Sequence, residues 1–217
     1  MWCIPTVDEA FTARMLDVLE VYERPYDPAK PQVCVDEKNH QLLDEQRAPL
    51  PMQPGKERRE DGEYVRKGSV KEFVAVEPKV GTIAIQVVAK RTAAAFAYFI
   101  AYLLTDVYPE ATTLVLVTDN LNIHTRKAFY HTFPADIADQ LLARIDWHYT
   151  PKHASWLDQA EIAVNGLTKA ILRKRLPTQQ VVEQEVAAYQ ARVNRSPKPI
   201  KWQFTRQKAR DTFHLST

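Results

Sequence analysis

Three acidic residues stand where the sequence changes abruptly from apolar to polar. Asp36 follows the apolar run PQVCV, Asp119 follows TLVLVT, and Glu161 follows the short strand-like segment IDWHY and a loop. Acids that meet at the ends of neighbouring buried strands repel one another unless a cation lies between them. Hard divalent ions take carboxylate oxygens and leave positions open for phosphate. The pattern therefore predicts a site for Mg²⁺ or Mn²⁺.

Patterns typical of several other kinds of site are missing. The five glycines form neither GxGxxG nor GxxxxGK[ST], which disfavours a dinucleotide or P-loop site. GxSxG and HExxH do not occur either. Cys3 and Cys34 form no CxxC pair, so neither a disulfide framework nor a cysteine zinc site is indicated. The acids remain as the candidates for chemistry.

Composition predicts a globular protein away from membranes. The 217 residues are 45% hydrophobic, enough for one domain or one domain with an appendage. The longest apolar run, residues 93–104, is too short to cross a bilayer, and the N-terminus has no apolar signal region. We expect a cytoplasmic, nucleoid-associated location and no membrane partner.

Charge is distributed unevenly along the chain. From Glu161 onward there are 11 Lys and Arg against 4 acids, so this part carries +7 and the first 160 residues carry −5. A basic C-terminal quarter is compatible with a polyanionic partner, although a solvated helix surface explains it equally well.

Hydrophobic periodicity predicts an α/β pattern with one hairpin edge. We expect strands at 33–35, 70–77, 82–89, 113–117 and 145–149, and helices at 6–22, 92–108, 125–145 (interrupted at Pro134), 155–176 and 178–193. The proline-rich stretch 47–68 predicts a long loop. The domain division predicted is an N-terminal helix and linker at 1–30, a catalytic core at 31–176 and a basic helical tail at 177–217.

Three blocks of the sequence carry a family resemblance. VCVDEKNHQLL, LVTDNLNIHT and WHYTPKHASWLDQAEI resemble the catalytic blocks of the DDE transposases of bacterial insertion sequences, specifically the mariner-related insertion-sequence six-thirty family. YERPYDP, PLPMQPG, EYVRKGS and WQFT also fit, so the resemblance covers nearly the whole chain. It implies an RNase H-like fold with a five-stranded mixed sheet flanked by helices. It assigns the catalytic and metal-ligating acids to Asp36, Asp119 and Glu161.

The family resemblance also implies a reaction. Two Mg²⁺ or Mn²⁺ ions clamp the attacking and leaving oxygens of a phosphodiester in an in-line displacement. Water first nicks a strand, and the freed 3′-hydroxyl then attacks target DNA. The implied partners are double-stranded DNA, as transposon ends and target, and a second copy of the chain in a DNA-bound homodimer.

Further residues are candidates for supporting roles. Asn120, His124 and His153 would orient the metal site or contact phosphate, with capping or core packing as the equal alternative. A basic run on the predicted 155–176 helix would contact phosphate: Lys169, Arg173, Lys174 and Arg175. Ser155 is interpreted as a helix cap and Trp156 as a packing residue. The stretch 48–66 occupies the place of a loop that bridges protomers in mariner relatives.

Two departures from the family pattern leave alternatives open. Asp158 stands where the family usually has Asn, and this acid would cap the helix or perturb metal affinity. Family members carry helix-turn-helix domains ahead of the catalytic domain, whereas this sequence begins at the equivalent of the linker. We therefore expect a catalytic fragment, a split-frame product with a separately encoded helix-turn-helix domain, or a decayed copy. An RNase H-type nuclease and a non-catalytic, DNA-binding or oligomerising remnant remain alternative functions.

Overall fold

One mixed sheet organises the chain. The computed structural model describes residues 7–57, 59, 61–171 and 174–215. Its strands are β1 (Gln32–Glu45), β2 (Tyr64–Glu77), β3 (Thr82–Val88), β4 (Leu114–Thr118) and β5 (Ile145–Tyr149). They form a five-stranded sheet in the order β3-β2-β1-β4-β5. The predicted five-stranded mixed sheet is therefore confirmed.

Strand direction changes at β1, in the middle of the sheet. β1 is antiparallel to β2, which is antiparallel to β3, whereas β1, β4 and β5 are mutually parallel. In the parallel pair, Val35 lies opposite Thr118. The next residue along each strand direction is an acid, Asp36 on one side and Asp119 on the other. The register thus places these two acids next to each other.

Helices cover both faces of the sheet. They are α1 (Glu9–Glu23), α2 (Ala93–Tyr102), α3 (Arg126–Thr132), α4 (Ala135–Leu142), α5 (Ala160–Ala170), α6 (Gln179–Arg195) and α7 (Arg206–Phe213). Buried residues of α2, α3 and α4 pack on one face, and those of α1, α5, α6 and α7 pack on the other. Among the described helices, none combines the length and apolar character that a membrane span requires.

The first two strands are much longer than predicted. β1 continues to Glu45 and β2 begins at Tyr64, so residues 64–68 of the expected 47–68 loop belong to β2, whereas the rest of that stretch falls between the two strands. The strand bounds were missed because these extensions have few apolar residues. An antiparallel pair needs only one buried face, so charged residues can continue the ladder into solvent.

The helix that carries Glu161 begins later than predicted. One 3₁₀ turn spans Ser155–Leu157, and α5 starts at Ala160 and ends at Ala170. Asp158, rather than Ser155, provides the cap, because its carboxylate accepts a 2.9 Å hydrogen bond from the Ala160 N–H. Glu161 consequently lies in the first turn of α5, closer to the start of the helix than the predicted range 155–176 implies.

Residues after α5 cover the exposed edge of the sheet. On α6, the Asn194 side chain bonds to both the N–H and the carbonyl of Ile83, at 2.9 and 2.8 Å, and Gln190 accepts from the Ile85 N–H at 2.7 Å. These side chains occupy backbone groups that an edge strand would otherwise leave open. The chain then passes the β2–β3 turn, where Gly81 has φ +90°.

Gly81→Ala should destabilise the fold. A Cβ at this position would overlap the backbone of Lys198, and the positive φ disfavours any side chain. We expect a loss of about 2 kcal/mol or more in the free energy of unfolding, measured by urea denaturation. Gly62→Ala is the matched control, since a Cβ there meets no atom within 4 Å. Equal stability of the two variants would contradict the close packing of the C-terminal segment on this turn.

Candidate active site

The candidate site lies where the parallel pairing of β1 with β4 ends. Asp36 and Asp119 are neighbours in register there, and both are half-buried. α5 packs against β1 and β2, which brings Glu161 of its first turn to the same region. The negative charge of Glu161 is close enough to raise the pKa of Asp36. The tertiary structure therefore gathers the three predicted acids into one neighbourhood.

Burial and neighbouring charge make Asp36 difficult to ionise. Burial is the largest cause and raises the pKa of this carboxyl from 3.8 to about 7, against a hydrogen bond from the Glu37 N–H. The charges of Glu161, Glu37 and Asp119 act in the same direction as burial. A carboxylate in this position is stabilised by a nearby cation.

The acids are near one another without forming a ready-made ligand cluster. Within the described ranges, no three Asp, Glu, His or Cys side chains converge as metal ligands would. Two of the carboxylates have protein partners instead. Asp36 Oδ1 accepts from the Glu37 N–H at 2.7 Å, and Asp119 Oδ1 accepts from the Leu121 N–H at 3.1 Å and lies 2.7 Å from His124 Nδ1.

His124 connects two carboxylates beneath the site. Its Nε2 lies 2.6 Å from Glu37 Oε1, and its Nδ1 lies 2.7 Å from Asp119 Oδ1 and 2.9 Å from Thr118 Oγ1. The Tyr149 hydroxyl donates to its carbonyl at 3.0 Å. The imidazole is fully buried. The His124 side chain is thus part of the site's internal support and has no exposed surface for phosphate.

The electrostatics of this network favour a protonated His124 beside an ionised Asp119. Burial opposes protonation of His124, but Asp119 and Glu37 raise the pKa of its imidazole to about 9. Burial likewise opposes ionisation of Asp119, but its hydrogen bond with His124 holds the pKa of that carboxyl below its usual range. Sequence reasoning did not single out Glu37. The position of Glu37 next to Asp36 was the only signal for a role at the site. Alternation along a β-strand places neighbouring side chains on opposite faces of the sheet, so this signal argued against such a role.

Asp158 is a fourth acid in the neighbourhood, and it faces inward. Its residue is 2% exposed, one carboxylate oxygen caps α5, and Oδ2 has no hydrogen-bond partner within the described structure. Burial first, and then the charge of Asp36, raises the pKa of Asp158 well above its usual range. This residue therefore serves as the helix cap that the sequence suggested as one of its two roles.

Asn120 and His153 lie beside Asp119 at the surface. Both are exposed and line a cavity of about 340 Å³ that Asp119, Lys152 and Ser155 also line. His153 has φ +60°, a left-handed backbone conformation in the loop after β5. Their positions are compatible with contact to a bound substrate.

The predicted basic run does not form one surface. Lys169 is exposed, whereas Lys174 is paired with Glu185 at 2.7 Å. The Arg175 guanidinium binds the Glu45 carboxylate and donates to the carbonyls of Asp61 and Glu63. Arg175 thus fastens the base of the β1–β2 hairpin, and its donors are engaged within the protein. Arg173 lies outside the described residues.

Solved structures with a similar fold include transposase and integrase assemblies. The Mos1 mariner paired-end complex with Mn has a TM-score of 0.55 at 16% identity, over 88% of this chain and 58% of that chain. The Mos1 transposase paired-end complex with left transposon end has a TM-score of 0.56 at 16% identity, over 88% and 57%. A chain of the simian T-cell lymphotropic virus intasome in complex with PP2A regulatory subunit B56 gamma has a TM-score of 0.53 at 14% identity, over 89% and 58%.

These similarities confirm the predicted RNase H-like fold. The chain spans 58% of the length of the first of these Mos1 chains. No curated protein matches the chain. The family model described as DDE superfamily endonuclease matches residues 31–182, well over half of the sequence. The chain therefore belongs to the DDE superfamily endonuclease family.

Proposed function

We propose that this chain is the catalytic domain of a transposase of the insertion-sequence six-thirty type, which cleaves DNA strands and joins them to a target. The observation that carries the proposal is the parallel register of β1 and β4, which sets Asp36 beside Asp119. Glu161 reaches the same neighbourhood from the first turn of α5. Membership of the DDE endonuclease family supports the same class of chemistry.

Asp36, Asp119 and Glu161 would hold two Mg²⁺ or Mn²⁺ ions. The residues fit these ions because the donors are carboxylate oxygens, and because burial and like charge already disfavour an ionised Asp36 in the protein alone. When bound, the ions supply Lewis-acid stabilisation of the attacking and leaving oxygens of the phosphodiester. His124 holds the Asp119 carboxylate from below, and Asn120 and His153 stand at the surface where the substrate strand would pass.

Double-stranded DNA is the proposed substrate, both as element ends and as target. The similar Mos1 structures include paired-end complexes, which supports pairing of two chains on DNA. The tip of the β1–β2 hairpin is a candidate contact in such a dimer, because Leu50 and Met52 are 63% and 76% exposed there. A helix-turn-helix domain is the proposed partner in recognition of specific ends.

Removing any one of the three acids should abolish strand cleavage. Asp36→Asn, Asp119→Asn and Glu161→Gln each delete a ligand charge while keeping side-chain size. With supercoiled or end-containing duplex DNA and Mg²⁺ or Mn²⁺, we expect nicking by the wild-type chain and at least a hundredfold loss in each variant. Nicks are measured on denaturing gels, and joined products on native gels.

Three outcomes of this assay would contradict the proposal. Nicking that persists in all three variants would remove the acids from catalysis. Preferential cleavage of RNA–DNA hybrids without joined products would favour an RNase H-type nuclease instead. Salt-sensitive binding without metal-dependent cleavage would indicate the non-catalytic remnant. Lys174→Gln is a control variant, because this lysine is paired with Glu185 on the surface.

Asp36 should make stability depend on pH in the absence of divalent ions. The pKa of Asp36 is about 7 in the folded state, above its ordinary value of 3.8. At pH values between these two, the folded state keeps a proton on Asp36 that the unfolded state has lost. Stability contributed by this group is therefore present below about pH 4 and is lost as pH rises to about 7. In EDTA, Asp36→Asn should exceed the wild type in melting temperature by about 5 °C or more at pH 7.5, with a smaller difference at pH 4.5.

Divalent ions supply the complementary measurement. Mg²⁺ or Mn²⁺ should raise the wild-type melting temperature at pH 7.5 and do so less in Asp36→Asn. Because His124 titrates in both proteins, its contribution cancels when the two are compared at the same pH. A constant difference between the two proteins from pH 4.5 to 7.5 would contradict the raised pKa of Asp36.

The network of Glu37, His124 and Asp119 should matter for metal affinity. Glu37→Ala leaves the buried His124 without one of its two carboxylates, so Asp119 would be held less firmly. We expect the Mg²⁺ or Mn²⁺ concentration for half-maximal nicking to rise about 10-fold to 100-fold. Glu37→Gln can still accept a hydrogen bond from His124 and should restore most of the affinity. Equal metal dependence in Glu37→Ala and the wild type would refute this positioning role.

A further inference from the structure

A second groove, separate from the cavity that contains Asn120 and His153, is lined by Glu37, the residue that follows Asp36. Its volume is about 690 Å³. We call it the cationic groove, and the residues that define it are Glu37, Lys38, Asn39, Lys71, Lys90 and Arg91. None of the four cations in this set belonged to the basic run that the sequence suggested for phosphate contact.

Three separate segments bring these cations together. Lys38 lies two residues beyond Asp36 on β1, and Lys71 lies on β2, where it is paired in register with Asn39. Lys90 and Arg91 lie in the connection between β3 and α2, and both are exposed. Since Lys71 is also paired with Val88 at the end of β3, that connection emerges beside it. The antiparallel part of the sheet and the connection after β3 thus form a basic surface that begins at β1, the strand that carries Asp36.

The groove's own acid is already neutralised. Glu37 is 5% exposed at its side chain, and its carboxylate is 2.6 Å from the His124 imidazole. Among the residues that the structure describes, none of the four cations lies within 4.0 Å of a carboxylate oxygen. Lys71 bonds instead to the neutral amide of Asn39. Four like charges gathered without counter-charges favour a polyanion as their partner.

The cationic groove adjoins the candidate site, and its charges act on the carboxylates there. Glu37 is adjacent to Asp36 in the chain, and it shares His124 with Asp119. The positive charge of Arg91 is among the causes that lower the pKa of Asp119. A strand held in the groove would therefore run directly to the carboxylates.

We propose that the cationic groove binds the phosphodiester backbone of duplex DNA beside the scissile phosphate, through Lys38, Lys71, Lys90 and Arg91. This inference rests on the proposed function, because it assigns part of the substrate to a surface next to the same site. A single phosphate group would occupy only one or two of these side chains. Four cations on three segments suit a ligand that carries several phosphates, such as a DNA strand. Contacts of this kind position DNA and carry no sequence information.

The test removes three of the charges at once. The variant combines Lys71→Gln, Lys90→Gln and Arg91→Gln, which leaves Lys38 beside the catalytic strand intact. Binding to a fluorescent duplex is measured by anisotropy in EDTA, so that cleavage does not interfere. Affinity should fall at least about tenfold, and the slope of log affinity against log salt should become shallower by about 2 to 3.

A control variant carries the same change of charge elsewhere. Lys30→Gln, Lys201→Gln and Lys208→Gln alter exposed lysines, none of which lines the groove. The DNA affinity of this variant should remain within about twofold of the wild type. Its slope of log affinity against log salt should differ from the wild-type slope by less than about 1. Melting temperatures of both triple variants establish that they are folded. Equal losses in the two variants would overturn the groove as a binding site and indicate general charge attraction.

Sequence independence is a second readout. Two duplexes of equal length and unrelated sequence should lose affinity to the same extent in the groove variant. A loss confined to one sequence would overturn the assignment to the backbone. Wild-type chain without salt-sensitive DNA affinity would overturn it as well.

The result is separable from the proposed catalytic function. Nicking by wild-type chain, together with unchanged binding in the groove variant, would reject the groove and keep the catalytic proposal. Weakened binding in the groove variant, in a chain that never nicks DNA with Mg²⁺ or Mn²⁺, would support the groove and reject the catalytic proposal.

Discussion

The parallel pairing of β1 and β4 is the constraint on which the rest of the site depends. It fixes Asp36 and Asp119 directly after the last paired residues of β1 and β4, in a half-buried setting where like charges repel. Burial is the main cause that raises the pKa of Asp36 to about 7, and the charges of Glu161, Glu37 and Asp119 act in the same direction. Burial strengthens this repulsion because water screens the charges less. A site of this kind is arranged to attract cations, and this arrangement follows from strand register rather than from any flexible loop.

The protein balances part of that charge with a buried imidazole. His124 lies between Glu37 and Asp119, and its ring also packs on Phe96 with a centroid distance of 4.3 Å. It therefore joins the end of β1, the loop after β4 and the apolar core beneath α2. A buried ionic network of this kind is costly to desolvate unless each member is paired, and here both imidazole nitrogens have partners. The network lowers the pKa of Asp119 while Asp36 stays hard to ionise, so the two neighbouring acids differ in character.

The surrounding elements hold the sheet in the shape that this site requires. Arg175 ties the base of the long hairpin to the segment after α5 through Glu45 and two backbone carbonyls. Asn194 on α6 closes the outer edge at β3. Both contacts act on the antiparallel half of the sheet, which also carries the cationic groove. Asp36 and Lys38 lie on β1 and Lys71 lies on β2, so the sheet joins the candidate site directly to part of the cationic groove.

The sequence by itself determined where five strands lie along the chain and which acids follow apolar runs, because runs such as 114–117 and 145–149 predict strands directly. It did not determine the length of β1, since Lys38 to Glu45 are held by pairing with β2 and have no apolar pattern. The start of α5 was also decided by tertiary burial of Asp158, whose carboxylate caps the helix. Only the folded structure brought Glu37 to His124, 87 positions away along the chain. Side-chain partners across such distances follow from register and packing, which local periodicity does not encode.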